Sequence, residues 1–154
     1  MREPPRPEAG PDHFVTVLFV SSCADDHHRL REIFAHTNWR LTTVDTFARA
    51  TAALCSGRHA VAICESNLQR GAWKELLEQT KNAPSQPLLI VTSAHADDQL
   101  WAEALNLGAY DVLPTPFEPQ EVVHVVSAAW LHWRSRRRAQ GHLTAEREFA
   151  VLCA

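Results

Sequence analysis

The chain has 154 residues, room for one domain with a sizeable core. Hydrophobic residues make up 45% and charged residues 21%, an ordinary balance for a soluble globular protein. A formal net charge of −3 provides no overall field for nucleic acid, and no apolar stretch is long enough to span a bilayer.

Residues 1–13 carry four of the nine Pro, with Arg and Glu between them, and read as a disordered lead-in. Phe14–Val20 is β-branched and aromatic, a first buried strand. Ser21-Ser22-Cys23-Ala24-Asp25 is the loop after it, with Ser or Asp to cap a helix whose Leu30, Ile33 and Phe34 form an apolar stripe closed by Asn38. Arg40–Val44 is a second strand. Asp45 or Thr46 then caps a helix carrying Phe47, Ala50, Ala53 and Leu54, and Gly57 stops it.

The third strand is the most informative stretch. In His59-Ala60-Val61-Ala62-Ile63-Cys64-Glu65 an apolar run without alternation ends on an acid. Such a run suits a strand buried on both faces of a parallel sheet. Glu65 then stands at the carboxyl end of a central strand, where open α/β sheets keep their functional groups. A helix over Ala72–Lys81 with Trp73, Leu76 and Leu77 on one face follows, and Pro84 and Pro87 bracket its exit. Leu88–Thr92 is a fourth buried strand. Asp97 and Asp98 start a helix with Leu100, Ala104 and Leu107 inward, and Gly108 stops it. Tyr110–Leu113 is a fifth strand, broken by Pro114-Thr115-Pro116, and Pro119 opens a last helix to about Arg138.

Five strand–helix alternations with short connections specify an α/β fold: a three-layer, doubly wound, five-stranded parallel sheet. Right-handed crossovers favour the flavodoxin-like order 2-1-3-4-5. Its switch point brings Ser21 and Ser22 opposite Glu65, with Thr92 and Thr115 arriving from the neighbouring strands. The nine His show no metal-ligand spacing such as HExxH. The four Cys (Cys23, Cys55, Cys64, Cys153) form no CxxC pair, which argues for a reducing, cytoplasmic compartment.

Val91-Thr92-Ser93-Ala94 and the run Ala104–Phe117, with Leu30-Arg31-Glu32-Ile33-Phe34 at the expected distance from the first strand, carry a family resemblance. From about Val15 to Arg138 the chain resembles a receiver domain of bacterial two-component response regulators. The resemblance implies residues 14–138 as the receiver domain and 139–154 as a tail. It also implies a phosphoryl-transfer site: an acidic pair after strand one, a phospho-accepting Asp after strand three, bound Mg²⁺, a hydroxyl after strand four and a Lys before Pro after strand five.

Carried over by position, Ser21 and Ser22 stand at the acidic-pair sites, Glu65 at the acceptor site, Thr92 at the hydroxyl and Thr115 at the Lys before Pro116. Every charged position of the motif is therefore changed. Two Ser hydroxyls bring no charge for a hard cation, and a Glu carboxylate sits one methylene further out than Asp. Asp25 and Asp26 fall in the start of the following helix, where capping accounts for them. The expectation is a degenerate, phosphorylation-independent pseudo-receiver: no enzyme, no cofactor, Mg²⁺ binding lost, and signalling through protein contacts. The alternative is a phospho-accepting receiver with a nonstandard acidic site, the N-terminal part of a DNA-binding regulator. The resemblance further implies a cis Thr115–Pro116 bond. Val112 stands where many receivers carry a switching aromatic, and Tyr110 lies two residues earlier, on the same face by strand period.

The last helix reads as apolar on more than one side. With Val122, Val126 and Ala129 facing the sheet, Val125 and Trp133 are expected to stay outside, and with Trp130 to form a partner surface. The family's pairing mode implies a homodimer or partner protein on the fourth helix, fifth strand and fifth helix, with a sensor kinase or output domain as further partners. The segment His142–Leu152 faintly resembles the opening helix of a helix-turn-helix output domain, so nucleic acid enters only through a longer chain.

Overall fold

The computed structural model describes residues 14–69 and 71–152, with side chains through Gln140. The lead-in expected at residues 1–13 lies outside the described residues. The strands are β1 (Thr16–Val20), β2 (Arg40–Val44), β3 (Val61–Glu65), β4 (Leu88–Ser93) and β5 (Asp111–Pro114). All pairings are parallel, in the order β2-β1-β3-β4-β5. The helices are α1 (Ala24–Ala35), α2 (Phe47–Cys55), α3 (Ala72–Asn82), α4 (Asp98–Leu107) and α5 (Pro119–Leu152).

Unbroken apolar runs make central strands because both of their faces are covered. One face of the sheet offers Val17, Phe19, Val61, Ile63, Ile90 and Leu113 to a core shared with Leu30, Ile33 and Phe34 of α1 and the apolar stripe of α5. The other offers Leu18, Val20, Ala62, Cys64, Leu89, Val91 and Val112 to α2, α3 and α4. Phe19 is fully buried and meets Phe117 edge to face at 5.8 Å, which ties the end of β1 to the β5–α5 connection.

Local chemistry sets the helix ends. Thr46 caps α2 by accepting the Arg49 N–H at 3.2 Å, and Asp97 caps α4 by accepting the Leu100 N–H at 2.9 Å. Gly108 ends α4 at φ 107°, a left-handed conformation that costs a residue without Cβ little. Helix α1 differs from expectation. Cys23 occupies its N-cap without a side-chain cap, and the helix closes at His36 rather than Asn38.

Further expectations are corrected. Leu107 is 43% exposed, so only Ala104 of α4 is fully buried and Leu100 is partly so. Tyr110 precedes β5, so the strand's two-residue period does not reach it. It packs on the α1/α5 side while Val112 packs on the opposite side. Helix α5 continues past Arg138 to Leu152.

The largest correction concerns the partner surface. Val125 is 8% and Trp133 3% exposed, both inside the core with Val122, Val126 and Ala129. At 3.6 residues per turn these five positions fall within an arc of about 100°, a single face. The Trp133 Nε1–H donates to the Ser85 carbonyl at 2.7 Å, fixing α5 to the connection between α3 and β4. Trp130 is partly buried at the edge of that face, beneath the Arg134 guanidinium at 5.2 Å.

Candidate functional site

The carboxyl ends of the central strands meet at the switch point between β1 and β3. Ser21 follows β1 directly and is fully buried, with its N–H bonded to the Val44 carbonyl of β2 at 3.2 Å. Ser22, one residue further, is exposed. Glu65 is the last residue of β3 and stands in register with Thr92 of β4. The backbone around it is firm, since the Ser66 N–H donates to the Thr92 carbonyl at 2.8 Å.

One oxygen of Glu65 gathers the site. Its Oε2 accepts the Ser21 hydroxyl at 3.1 Å, the Ser22 backbone N–H at 3.1 Å and the Ser22 hydroxyl at 3.2 Å. Hydrogen bonds to an ionised acceptor are stronger than neutral ones. The clamp is itself braced: Ser21 Oγ accepts the Cys23 N–H at 3.0 Å, and the His27 ring nitrogen Nε2 lies 2.6 Å from the Ser21 carbonyl oxygen. The His27 ring packs against Phe19 at 4.9 Å.

Beside Glu65 opens a cleft of about 370 Å³, lined by residues that include Asp25, Asp26, Glu65, Thr92, Thr115 and Pro116. Thr92 is fully buried and its Oγ1 has no hydrogen-bond partner among the described residues. The Thr115 N–H donates to the Ser93 carbonyl at 3.0 Å, and the Thr115–Pro116 peptide bond is cis. Burial pushes the carboxyl pKa of Asp26 up, and the charges of Glu65 and Asp25 add to that shift against a lowering contact with Cys23. The Cys64 thiol behind Glu65 is pushed up to about 12, first by burial and then by the Glu65 charge, so it remains a thiol.

Structure thus brings Ser21, Ser22, Glu65, Thr92, Thr115 and Pro116 to one place, and leaves Val125, Trp130 and Trp133 on the far helix. It also adds Asp25 and Asp26, expected only to cap the following helix, to the cleft lining. In a doubly wound fold the first turn of the helix after β1 starts at the same sheet edge as the cleft, which is the signal that places them. Among the described residues no group of three or more His, Cys, Asp or Glu is placed to hold a metal ion. No helix among them is long and apolar enough to cross a membrane.

A doubly wound sheet in this order, with a hydroxyl- and carboxylate-lined cleft at its switch point, defines a flavodoxin-like α/β domain. The response regulator receiver domain family matches residues 22–127, and the chain belongs to that family. The DNA-binding transcriptional regulator NtrC of Escherichia coli (strain K12) is 30% identical over 110 residues, covering 71% of this chain and 23% of that protein. NtrC of Salmonella typhimurium matches with the same identity and coverage. The chain therefore spans about a quarter of the length of these curated relatives. Among solved structures, the signal receiver domain of an HD domain-containing protein from Pseudomonas fluorescens superposes with a TM-score of 0.72 at 24% identity. That match covers 81% of this chain and 93% of the other. NtrX from Brucella abortus gives 0.73 at 21% identity, covering 83% and 29%. These likenesses show the fold.

Proposed function

We propose that this receiver domain signals through protein contacts without accepting a phosphoryl group. The observation that carries the reading is the clamp on Glu65, where both Ser at the acidic-pair positions donate to the carboxylate at the acceptor position. In the family the acidic pair and the acceptor share a Mg²⁺ ion. Here the pair has become hydrogen-bond donors, and one oxygen of the acceptor carboxylate is occupied by the protein itself. Mg²⁺ demands near-octahedral oxygen ligands at about 2.0–2.1 Å. Glu65 with two hydroxyls already committed to it does not fit that demand, and Thr115 supplies no cation for a phosphoryl oxygen. The clamp also ties the ends of β1 and β3 together, holding the site in one arrangement.

The output of such a domain is a surface. Leu105 and Leu107 of α4 and Val123 and Leu131 of α5 are exposed, and they replace Val125 and Trp133 as the candidate contact for a second copy or a partner. Similarity to NtrC supports an output domain in a longer cytoplasmic regulator as one such partner.

Incubation with acetyl phosphate and Mg²⁺, followed by intact mass measurement, tests the proposal. The expected result is no adduct under conditions that label a control receiver. A phosphate-sized mass increase lost in Glu65→Gln would instead establish a phospho-accepting receiver with a nonstandard acidic site.

A further inference from the structure

We infer that the cleft beside Glu65 is a binding site for a guanidinium group. The inference deepens the reading above and rests on it in one respect: no metal or phosphoryl group competes for the cleft.

The charge of the cleft is the first argument. Asp25, Asp26 and Glu65 line it, and among the described residues no Lys or Arg does. A receiver cleft built for a phosphoryl group balances its acids with a metal and a Lys, whereas this one keeps acids and lacks the Lys. Burial and the charges of its two neighbours disfavour an ionised Asp26, so the cleft is short of positive charge. A cation placed there relieves that repulsion.

The second argument is an unpaired group. Thr92 belongs to the same lining and is fully buried, and its Oγ1 has no hydrogen-bond partner among the described residues. A hydroxyl offers one donor and two acceptor positions, and leaving them unmade inside a protein is costly. A ligand N–H satisfies it. The hydrogen bonds on the Glu65 side chain all fall on Oε2 among the described residues, which leaves Oε1 as an acceptor.

Size and shape select the cation. Asp25, Asp26 and Glu65 share a lining but are not gathered as three carboxylates around one metal-ion position. A guanidinium is planar, permanently charged, weakly hydrated and carries five N–H donors, so it bridges acceptors that a compact ion cannot reach together. The cleft volume of about 370 Å³ far exceeds the ~30 Å³ share of one water molecule and matches the lower end of small-ligand pockets.

The test is a titration of the full, isotope-labelled chain followed by amide and methyl NMR, at constant ionic strength, without phosphodonor. Probes are methylguanidinium as a free cation, a blocked Ala-Arg-Ala peptide as a protein-borne one, methylammonium and Mg²⁺. Saturable shifts at Asp26, Glu65 and Thr92 with either guanidinium probe, at lower concentration than with methylammonium or Mg²⁺, are expected. Peptide binding tighter than methylguanidinium assigns the site to an arginine of a partner protein, and the reverse assigns it to a small molecule. Glu65→Gln and the near-isosteric Thr92→Val should each weaken binding roughly tenfold while keeping the dispersed spectrum of the folded chain. Absence of saturable shifts, or Mg²⁺ producing them at lower concentration, overturns the inference. A phosphoryl adduct in the separate mass experiment overturns the reading beneath it, so the two failures are distinguishable.

Discussion

A carboxylate oxygen with three donors around it makes the two serines unequal, because burial differs between them. Ser21 is fully buried and its Oγ both donates to Glu65 and accepts from the Cys23 N–H, so Ser21→Ala strands the Cys23 N–H and removes one of the three donors to Glu65. Its expected cost is about 1–3 kcal/mol. Ser22 is exposed and its backbone N–H still reaches Glu65 in the alanine variant, so Ser22→Ala should cost less than about 1 kcal/mol. Chemical denaturation of both variants checks the order, and equal costs would contradict the clamp. Asp26 gives the corresponding pH prediction. Its pKa is raised in the folded protein from 3.8, so its proton is held more tightly there than in the unfolded chain. The stability this brings is fully present below 3.8 and is lost as pH rises through the raised value. Asp26→Asn should therefore melt higher than wild type at neutral pH, by less than about 1 kcal/mol because water screens a half-exposed carboxylate. The advantage should shrink as pH falls through that window, and an advantage that grows on acidification would reverse the assignment.

Helix α5 shows how a single stripe carries an element. Val122, Val125, Val126, Ala129 and Trp133 bury one face, and Trp133 adds the hydrogen bond to Ser85. Trp133→Ala removes a large buried ring and that bond, with an expected cost of about 3–5 kcal/mol. Leu131, 57% exposed, should tolerate Ala within about 0.5 kcal/mol. Urea denaturation of the two variants measures the contrast, and a small Trp133 effect would place the ring outside the core. The same helix marks what the sequence could and could not reveal. Strands β1, β3 and β4 and the strand order were legible because turn residues bound the apolar runs and handedness leaves few topologies. Burial of Trp133 was not, since it depends on the α3–β4 connection, distant in sequence, offering the Ser85 carbonyl. The gathering of Ser21, Ser22 and Glu65 was legible from topology. That the hydroxyls turn onto one carboxylate oxygen was not, because side-chain direction is settled only after the strands are placed. Tyr110 and Leu107 were misplaced for a simpler reason: a strand or helix period holds only inside the element, and both lie at its edge.

At the scale of the whole molecule, the exposed apolar residues left after the core is filled bear on assembly. Leu105 and Leu107 lie at the end of α4, and Val123 and Leu131 on α5 outside its buried stripe. At about 1.5 Å per residue the 34-residue α5 is about 50 Å long, more than the ~30 Å diameter of a small domain. A long helix with apolar residues outside its buried face gains by pairing, and stable pairs bury roughly 1,200–2,000 Å² in total. The chain is therefore expected to dimerise through α4 and α5 without phosphodonor. Val123→Glu and Leu131→Glu should shift it to monomer in light scattering while leaving the melting temperature of the dilute monomer unchanged, because neither side chain is part of the core. Val125→Glu serves as the contrast: it puts a charge among buried residues and should lower the melting temperature whatever the assembly state. A chain that stays monomeric at high micromolar concentration, with or without the two surface substitutions, would exclude self-association and leave the α4 and α5 residues to a partner protein.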